Sequence, residues 1–151
     1  MATESVAAPR GCTNLKLRQA SRLIARHYEA YVAPTGLKNT QYSLLSYVVK
    51  LGPIRAGDLA AAMQLDASTL TRNLQPLVLQ GWVKVTTGDD ARSRIVEATD
   101  AGRALRQHAQ RAWKQAQVAL NARLGEARVA ALHALLDECV VLLADAGEDD
   151  E

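Results

Sequence analysis

The sequence predicts a mainly α-helical protein with one small two-stranded β-hairpin. Three observations lead to this prediction. Leu, Ala and Val supply most of the apolar residues, while Phe is absent and aromatic residues make up only 4% of the chain, as is typical of helix-rich proteins. Apolar residues recur at steps of three and four along most of the chain. Only in residues 82–98 do β-prone stretches flank a Gly-Asp-Asp turn.

The first two helices are predicted on either side of Pro34-Thr-Gly36. Residues 1–11 contain Pro and Gly and show no periodicity, so we expect a flexible arm there. The first helix is expected over residues 13–33 and the second over residues 40–51, before Gly-Pro. Their predicted buried positions are Leu17, Ala20, Ile24, Tyr28 and Tyr31 in the first helix, and Tyr42, Leu45, Val48 and Val49 in the second.

A helix-turn-helix pattern follows. Residues 55–63 place apolar side chains on one side, and Gln64-Leu65-Asp66 supplies a short turn. Asp66 or Ser68 is expected to cap the next helix. The predicted buried stripe of that helix is Leu70, Leu74, Leu77 and Val78. Pro76 lies inside the helix and is expected to kink it.

The predicted hairpin has strands at residues 82–87 and 94–98, and Thr99-Asp-Ala-Gly102 then begins a helix that ends near Leu124. The last helix carries a stripe formed by Val129, Leu132, Leu135, Leu136, Cys139, Leu142 and Leu143. This stripe is too apolar to stay exposed. Its partner could be the first helix, a second chain or both, and we favour a homodimer. Cys139 is expected to be a small packing residue.

Composition excludes several classes of protein. Residues 145–151 contain five acidic residues and no basic residue. The preceding residues 1–144 contain 18 basic and 11 acidic residues, which gives them a net charge of +7. That charge suits nucleic acid, and the acidic end at residues 146–151 is expected to be a disordered tail. No apolar run approaches the roughly 18 residues of a membrane span, and no signal peptide is recognisable, so we expect a cytoplasmic protein without membrane contact.

Catalytic and metal-binding patterns are missing from the sequence. Cys12 and Cys139 lie far apart without a CxxC pair, and the three histidines fall on separate predicted helices. We therefore predict no disulfide, metal or cofactor. No nucleophile elbow, phosphate loop or paired-carboxylate pattern is present, and the chain is not expected to be an enzyme.

Polar side chains after the turn suit contact with DNA. The candidates on the second helix of the pattern are Ser68, Thr69, Thr71, Arg72, Asn73 and Gln75. Arg72 can bind guanine with two hydrogen bonds or can bind a phosphate. The alternative is an ordinary solvated helix face whose first residues only cap the helix.

The hairpin adds basic residues. We expect Asp90 to hold the Arg92 guanidinium by a charged hydrogen bond and to aim it at a minor groove. Lys84, Arg94 and Arg55 are expected to attract phosphates. The alternative is a surface hairpin with an incidental exposed salt bridge.

With its predicted helices and hairpin in this order, the chain resembles the MarR family of winged helix-turn-helix transcriptional regulators over residues 12–145. The resemblance is carried by Gly36-Leu-Lys-Asn-Thr-Gln41, Gly52-Pro-Ile-Arg-Ala-Gly-Asp58, Leu65-Asp-Ala-Ser-Thr-Leu-Thr-Arg72, Asp90-Ala-Arg92 and Thr99-Asp-Ala-Gly102. Three positions depart from the family pattern: Ala91 replaces an Arg, Ala98 replaces a Leu, and Pro76 interrupts the reading helix.

The resemblance implies an architecture and a partner. A winged lobe at about residues 37–98 would read DNA, and terminal helices at about residues 12–33 and 100–145 would form the base of a triangular homodimer. The second helix of the pattern would enter the major groove of a palindromic double-stranded operator, and the wing would reach the minor groove. The resemblance therefore implies a transcriptional regulator, and we expect a repressor.

The family resemblance also suggests a signal. Small aromatic or phenolic acids bind such proteins between the dimer base and the winged lobes, and five side chains could line that place: His27, Tyr28, Tyr31, Tyr42 and Tyr47. Aromatic residues at helical spacing are also ordinary core residues. A second hypothesis is peroxide sensing by Cys12, as in one subgroup of the family, although Asn39 stands where a second tyrosine is expected. A third is a winged-helix module that binds another protein.

Overall fold

The computed structural model describes residues 7–90 and 92–145. Three predicted features therefore lie outside the described residues: the first six residues of the arm, the departure at Ala91 and the tail at residues 146–151. The described elements follow in chain order: α1 Thr13–Val32, α2 Asn39–Leu51, β1 Ile54–Arg55, α3 Ala56–Ala62, α4 Ala67–Leu79, β2 Val83–Thr87, β3 Arg94–Ala98, α5 Asp100–Leu124 and α6 Glu126–Asp145. A short 3-10 turn, Ala33–Thr35, follows α1. The prediction of a mainly helical chain with a small β-hairpin is confirmed.

The predicted two-stranded hairpin is present as β2 and β3, and a short third strand, β1, which was not predicted, joins it in one sheet. β3 is central and pairs antiparallel with β2 on one side and with β1 on the other. Ile54 pairs with Val96, and Arg55 pairs with Ile95. A strand of two residues leaves no alternating pattern in a sequence, which is why β1 was missed. Through β1, the base of the hairpin is joined to the start of α3.

The core lies where α2, α3 and α4 meet the sheet. Leu45, Leu59, Leu70, Leu77 and Val96 are almost completely buried there. One prediction about this core was wrong, since Val78 remains 40% exposed. Val49 is half-buried and packs against the core as predicted. Leu44, which was not predicted, is also buried. Despite Pro76, α4 continues as one helix to Leu79.

The terminal helices carry far less burial than the sequence predicted. Val32 is the buried residue of α1, while Leu17 is 47% exposed. On α6, Val129 is buried and Leu132 is half-buried, but Cys139 is exposed. The predicted packing role of Cys139 is therefore not fulfilled within a single chain. None of the helices in residues 7–90 and 92–145 has the length and apolarity to cross a membrane.

Two side chains define where α4 and α5 begin. Asp66 caps α4 by accepting the Thr69 backbone N–H, which confirms one of the two predicted caps. Thr99 caps α5 by accepting the backbone N–H of Gly102. Gly125 has a φ of 90° immediately after α5, a conformation that glycine adopts without strain. Both predicted ends of α5 are thereby confirmed.

Candidate nucleic-acid interface

The first turn of α4 is fixed by the carboxylate of Asp66. Oδ1 accepts the Thr69 backbone N–H at 2.7 Å and the Ser68 hydroxyl at 2.8 Å. The hydrogen bonds from Thr69 and Ser68 stabilise the ionised carboxylate and lower the pKa of Asp66 from its usual 3.8 to about 2. The start of α4 therefore carries a permanent negative charge at neutral pH.

One face of α4 is exposed and is polar from Ser68 to Gln75. Ser68, Thr71, Arg72 and Gln75 are all exposed, and their spacing of three and four residues places them on the same side of the helix. This outward face lies opposite the buried residues Leu70 and Leu77. Of the other predicted contacts, Asn73 is exposed and Thr69 is half-buried. Helical spacing turns both away from the outward face, with Asn73 beside the buried Leu77.

The sheet brings an arginine beside this face. A groove of about 440 Å³ separates α4 from the hairpin, and its lining includes Thr71, Gln75 and Arg94. Arg94 is exposed at the start of β3. The hydroxyl of Thr71, the amide of Gln75 and the guanidinium of Arg94 therefore line one groove. The sequence alone did not indicate that they lie close together.

The hairpin tip is closed by backbone hydrogen bonds. Gly88 N–H donates to the Ser93 carbonyl at 2.7 Å, and Ser93 N–H donates to the Asp90 carbonyl at 2.9 Å. Asp90 Oδ1 accepts the backbone N–H of Arg92 at 3.2 Å. The expected bond from Asp90 to the Arg92 guanidinium is absent among the described residues. In the free chain Asp90 shapes the turn through the backbone N–H of Arg92. Its role in aiming the Arg92 side chain at DNA stays a prediction.

The cations differ in how far they are balanced. Lys84 lies 3.4 Å from a carboxylate oxygen of Glu97 on the neighbouring strand. Arg55, Arg72, Arg92 and Arg94 are exposed, and none of them takes part in an ion pair with the residues that the structure describes. The sequence did not predict the role of Glu97, because the pairing depends on the strand register.

The five candidate effector residues do not share one pocket. His27 Nε2 donates to the Ala116 carbonyl at 2.8 Å, and Tyr31 packs against the His27 ring. Tyr28 donates its hydroxyl to Gln117 Oε1, and burial raises its pKa. Tyr42 is buried and Tyr47 is 40% exposed. Their part in binding an effector stays a prediction, and within one chain they divide among separate cavities.

Two cavities instead lie on either side of Trp113 on α5. One, of about 480 Å³, is bounded by α1, α2, α5 and α6 and contains Tyr28. The other, of about 440 Å³, lies between α2 and α5 and is lined by Tyr42, Tyr47 and Arg106. The Trp113 ring stacks on Tyr42 with centroids 6.4 Å apart. Trp113 was missed, although its place four residues after the buried Ala109 would have indicated it.

Cys12 is separated from the aromatic residues. It is exposed and lies at the residue before α1, whereas Tyr28 is sixteen residues later in sequence, about 24 Å along a helix. One chain therefore does not bring Tyr28 to the Cys12 thiol. No group of three or more His, Cys, Asp or Glu side chains in the described part of the chain could hold a metal ion.

Comparison with known proteins agrees with this geometry. A sequence model of the MarR family matches residues 35–93, the stretch from the end of α1 to the hairpin tip. The crystal structure of the M. tuberculosis transcriptional regulator MosR in complex with DNA is 32% identical, with a TM-score of 0.71, and the match covers 85% of this chain and 98% of that one. The chain belongs to the MarR family.

Other matches support the same fold for this MarR-family chain. The uncharacterized HTH-type transcriptional regulator YwoH of Bacillus subtilis is 31% identical over 84 residues, which are 56% of this chain. The chain spans 61% of the length of that relative. A mutant MarR from E. coli complexed with operator DNA has a TM-score of 0.75 at 23% identity, covering 83% of this chain and 91% of that one. At that identity the likeness shows the fold alone.

Proposed function

We propose that this MarR-family transcriptional regulator binds a palindromic operator in double-stranded DNA as a homodimer, and that a small aromatic acid releases it. We expect it to act as a repressor. The observation that carries the proposal is the outward face of α4: an exposed row of hydroxyl, guanidinium and amide groups opposite a buried stripe, with Arg94 across a shared groove.

The geometry fits the two grooves of DNA. The major groove is wide enough for a helix such as α4, whose outward face would meet base edges and phosphates. The hairpin extends beside it and carries Arg92 near its tip, where a narrow minor groove attracts arginine. MosR, at 32% identity, was crystallised in complex with DNA, which supports the same partner here.

A second copy of the chain would cover the exposed apolar side chains of the terminal helices. On α1 these include Leu15, Leu17 and Leu23, and on α6 they include Leu135, Leu136, Val140, Val141, Leu142 and Leu143. Apolar patches of this extent on a soluble protein are typical of interfaces. A twofold dimer would carry two copies of α4 and would match a palindromic operator.

The cavity between α2 and α5 has features that suit an aromatic acid. Tyr42, Tyr47 and Trp113 offer ring faces, and Arg106 and Lys50 lie in the same lining. The guanidinium of Arg106 contacts Ser46 and Gln110 and forms no ion pair among the described residues. A carboxylate could therefore bind Arg106 while its ring packs on the aromatic residues. Binding there would push α2 from α5 and change the distance between the two copies of α4.

Fluorescence anisotropy on duplexes from the chain's own upstream region tests the proposal. We expect tight binding to a palindromic site, with an affinity that falls steeply as salt increases. A duplex with one half-site should bind much more weakly. Benzoate, salicylate and hydroxycinnamate should release the DNA, whereas the matching alcohols should not.

Three results would contradict parts of the proposal. Salt-insensitive binding to a protein, with no binding to any duplex, would favour the protein-interaction module. Release by peroxide that is lost in Cys12→Ser would favour the thiol sensor. Release by the alcohols as readily as by the acids would remove the role of Arg106.

A further inference from the structure

The hydroxyl hydrogens of Ser68 and Thr71 are already committed within α4. Ser68 Oγ lies 2.8 Å from Asp66 Oδ1, and Thr71 Oγ1 lies 2.9 Å from the Ala67 carbonyl oxygen. A carbonyl has no hydrogen to give, and with a pKa of about 2 Asp66 has none at neutral pH either. Ser68 and Thr71 must therefore be the donors. Since a hydroxyl has a single hydrogen, neither retains one for a ligand.

What remains on these side chains is acceptor capacity. Each hydroxyl oxygen keeps a lone pair, and the Asp66 carboxylate can only accept. All three residues are exposed. Asp66 immediately precedes α4, and Ser68 and Thr71 are one turn apart on its outward face. Together they form a surface that offers acceptors and no side-chain donor, which we call the acceptor surface.

Few groups on DNA can pair with such a surface. Phosphate oxygens, thymine O4 and guanine O6 and N7 are all hydrogen-bond acceptors. None of them can form a hydrogen bond with the acceptor surface, because neither side supplies a hydrogen. In the major groove the available donors are the N6 amino group of adenine and the N4 amino group of cytosine. We propose that Asp66, Ser68 and Thr71 read the exocyclic amino groups of adenine or cytosine at the start of α4, an inference that rests on the proposed binding of DNA.

The same contacts argue against a phosphate at this end of the helix. The Thr69 backbone N–H, which would otherwise attract an anion, donates to Asp66 at 2.7 Å. The negative charge of Asp66 also repels phosphate. Arg72, one turn after Ser68 on the outward face, carries donors only and suits guanine or a phosphate. The outward face is thereby divided into an acceptor part and a donor part.

Selection from a random duplex library, followed by base analogues, tests this division. In the selected half-site each adenine is replaced by purine and each cytosine by 2-pyrimidinone, which removes the amino group. We expect at least one position where this replacement weakens binding about tenfold. Replacing the base there with its 7-deaza analogue, where the base is adenine, should change the affinity less than about twofold, since the acceptor surface does not use N7.

Variants identify the protein group. In Ser68→Ala or Thr71→Val, removal of the amino group should weaken binding only about twofold, because the hydroxyl that accepted its hydrogen bond is absent. The protein substitution and the base analogue are then no longer additive, as in a double-mutant cycle. Thr35→Val is the matched control: its hydroxyl also donates to a backbone carbonyl, that of Val32, but lies outside α4. It should keep the full penalty. Circular dichroism establishes that each variant is folded.

Three outcomes overturn the inference and are distinguishable from one another. If the selection enriches no duplex, the proposed function fails and the inference fails with it. If duplexes are enriched but the amino-group penalties are the same in wild type, Ser68→Ala and Thr71→Val, the inference alone fails. If Ser68→Ala and Thr71→Val weaken binding equally on all sequences, these hydroxyls contact phosphates instead, and the inference fails in this case also.

Discussion

The carbonyl group of Trp82 lies against Gly102, in the first turn of α5. A Cβ added at Gly102 would come within 2.9 Å of the Trp82 carbonyl carbon and would lie still closer to its oxygen. The Trp82 oxygen accepts the Thr99 backbone N–H at 3.0 Å, and the Thr99 hydroxyl donates to the Gly81 carbonyl at 2.6 Å. The start of α5 is thus fixed to the segment between α4 and β2.

Gly102→Ala should therefore destabilise the fold. The methyl group meets backbone atoms that cannot rotate away, so we expect a loss of about 1–3 kcal/mol in the free energy of unfolding. Gly57→Ala is the control, because nothing lies within 4 Å of a Cβ there. Urea denaturation of both variants gives the comparison. Equal stability of the two variants would mean that the Trp82 contact is looser than described.

Asp66 makes stability dependent on pH in the acid range. Its folded pKa of about 2 lies below its usual 3.8, so the ionised carboxylate stabilises the folded state above pH 3.8. That contribution is lost as the pH falls toward 2. Asn also caps helices, so Asp66→Asn should change stability little at pH 7 and should flatten the decline between pH 4 and 2. Parallel stability curves for the two proteins would contradict this assignment.

Arg92 and Lys84 should differ in their effect on DNA binding. Lys84 is paired with Glu97 at 3.4 Å, whereas Arg92 is exposed. Arg92→Ala should weaken binding and reduce the slope of log affinity against log salt by up to about 0.9, as expected when one cation is removed from the DNA surface. Lys84→Ala should reduce it less. Anisotropy titrations at several salt concentrations measure both slopes, and size-exclusion chromatography should show the same oligomer. A larger effect from Lys84 would reverse the proposed roles.

Charged residues on α6 should separate the proposed dimer. Leu135 and Leu142 are 60% and 70% exposed and lie seven residues apart on the same side of the helix. The double variant Leu135→Glu, Leu142→Glu should be monomeric by light scattering and should bind a palindromic duplex no better than a half-site. For the light-scattering measurement alone, Leu79→Glu is the control, since Leu79 is 86% exposed on α4, outside the proposed interface. A dimer that survives the double variant would place the interface elsewhere.

Arg106 should select acids over neutral ligands. Arg106→Ala removes the guanidinium from the cavity between α2 and α5, and we expect roughly tenfold weaker binding of benzoate or salicylate, the loss typical of a charge-assisted hydrogen bond. Affinity for the matching alcohols should hardly change. Calorimetry measures both, with the exposed Arg111→Ala on the same helix as the control. An equal loss for acids and alcohols would indicate a packing defect.

Local chemistry explains which features could be predicted from the sequence. The limits of α5 follow from Thr99 and Gly125, and the α4 cap follows from Asp66, because each acts on residues within four positions. The pairing of Ile54 with Val96 and of Lys84 with Glu97 depends on register across the sheet, for which no local pattern exists. The contact of Asp90 with the Arg92 backbone N–H was not predicted, because a carboxylate two residues before an arginine can accept from its backbone as well as from its guanidinium.

The short strand β1 pairs with the base of the hairpin and not with its tip, so the tip should tolerate changes of length and sequence better than the base. Its pairing ends at Ile95, so the base of the hairpin belongs to the same body as α3. From Arg94 outward, only β2 accompanies the chain. Residues 88–93 can therefore be lengthened, shortened or exchanged with those of a relative without disturbing the helix-turn-helix. Under the proposed binding of DNA, the reach of the hairpin toward the minor groove would thus change independently of base reading by α4.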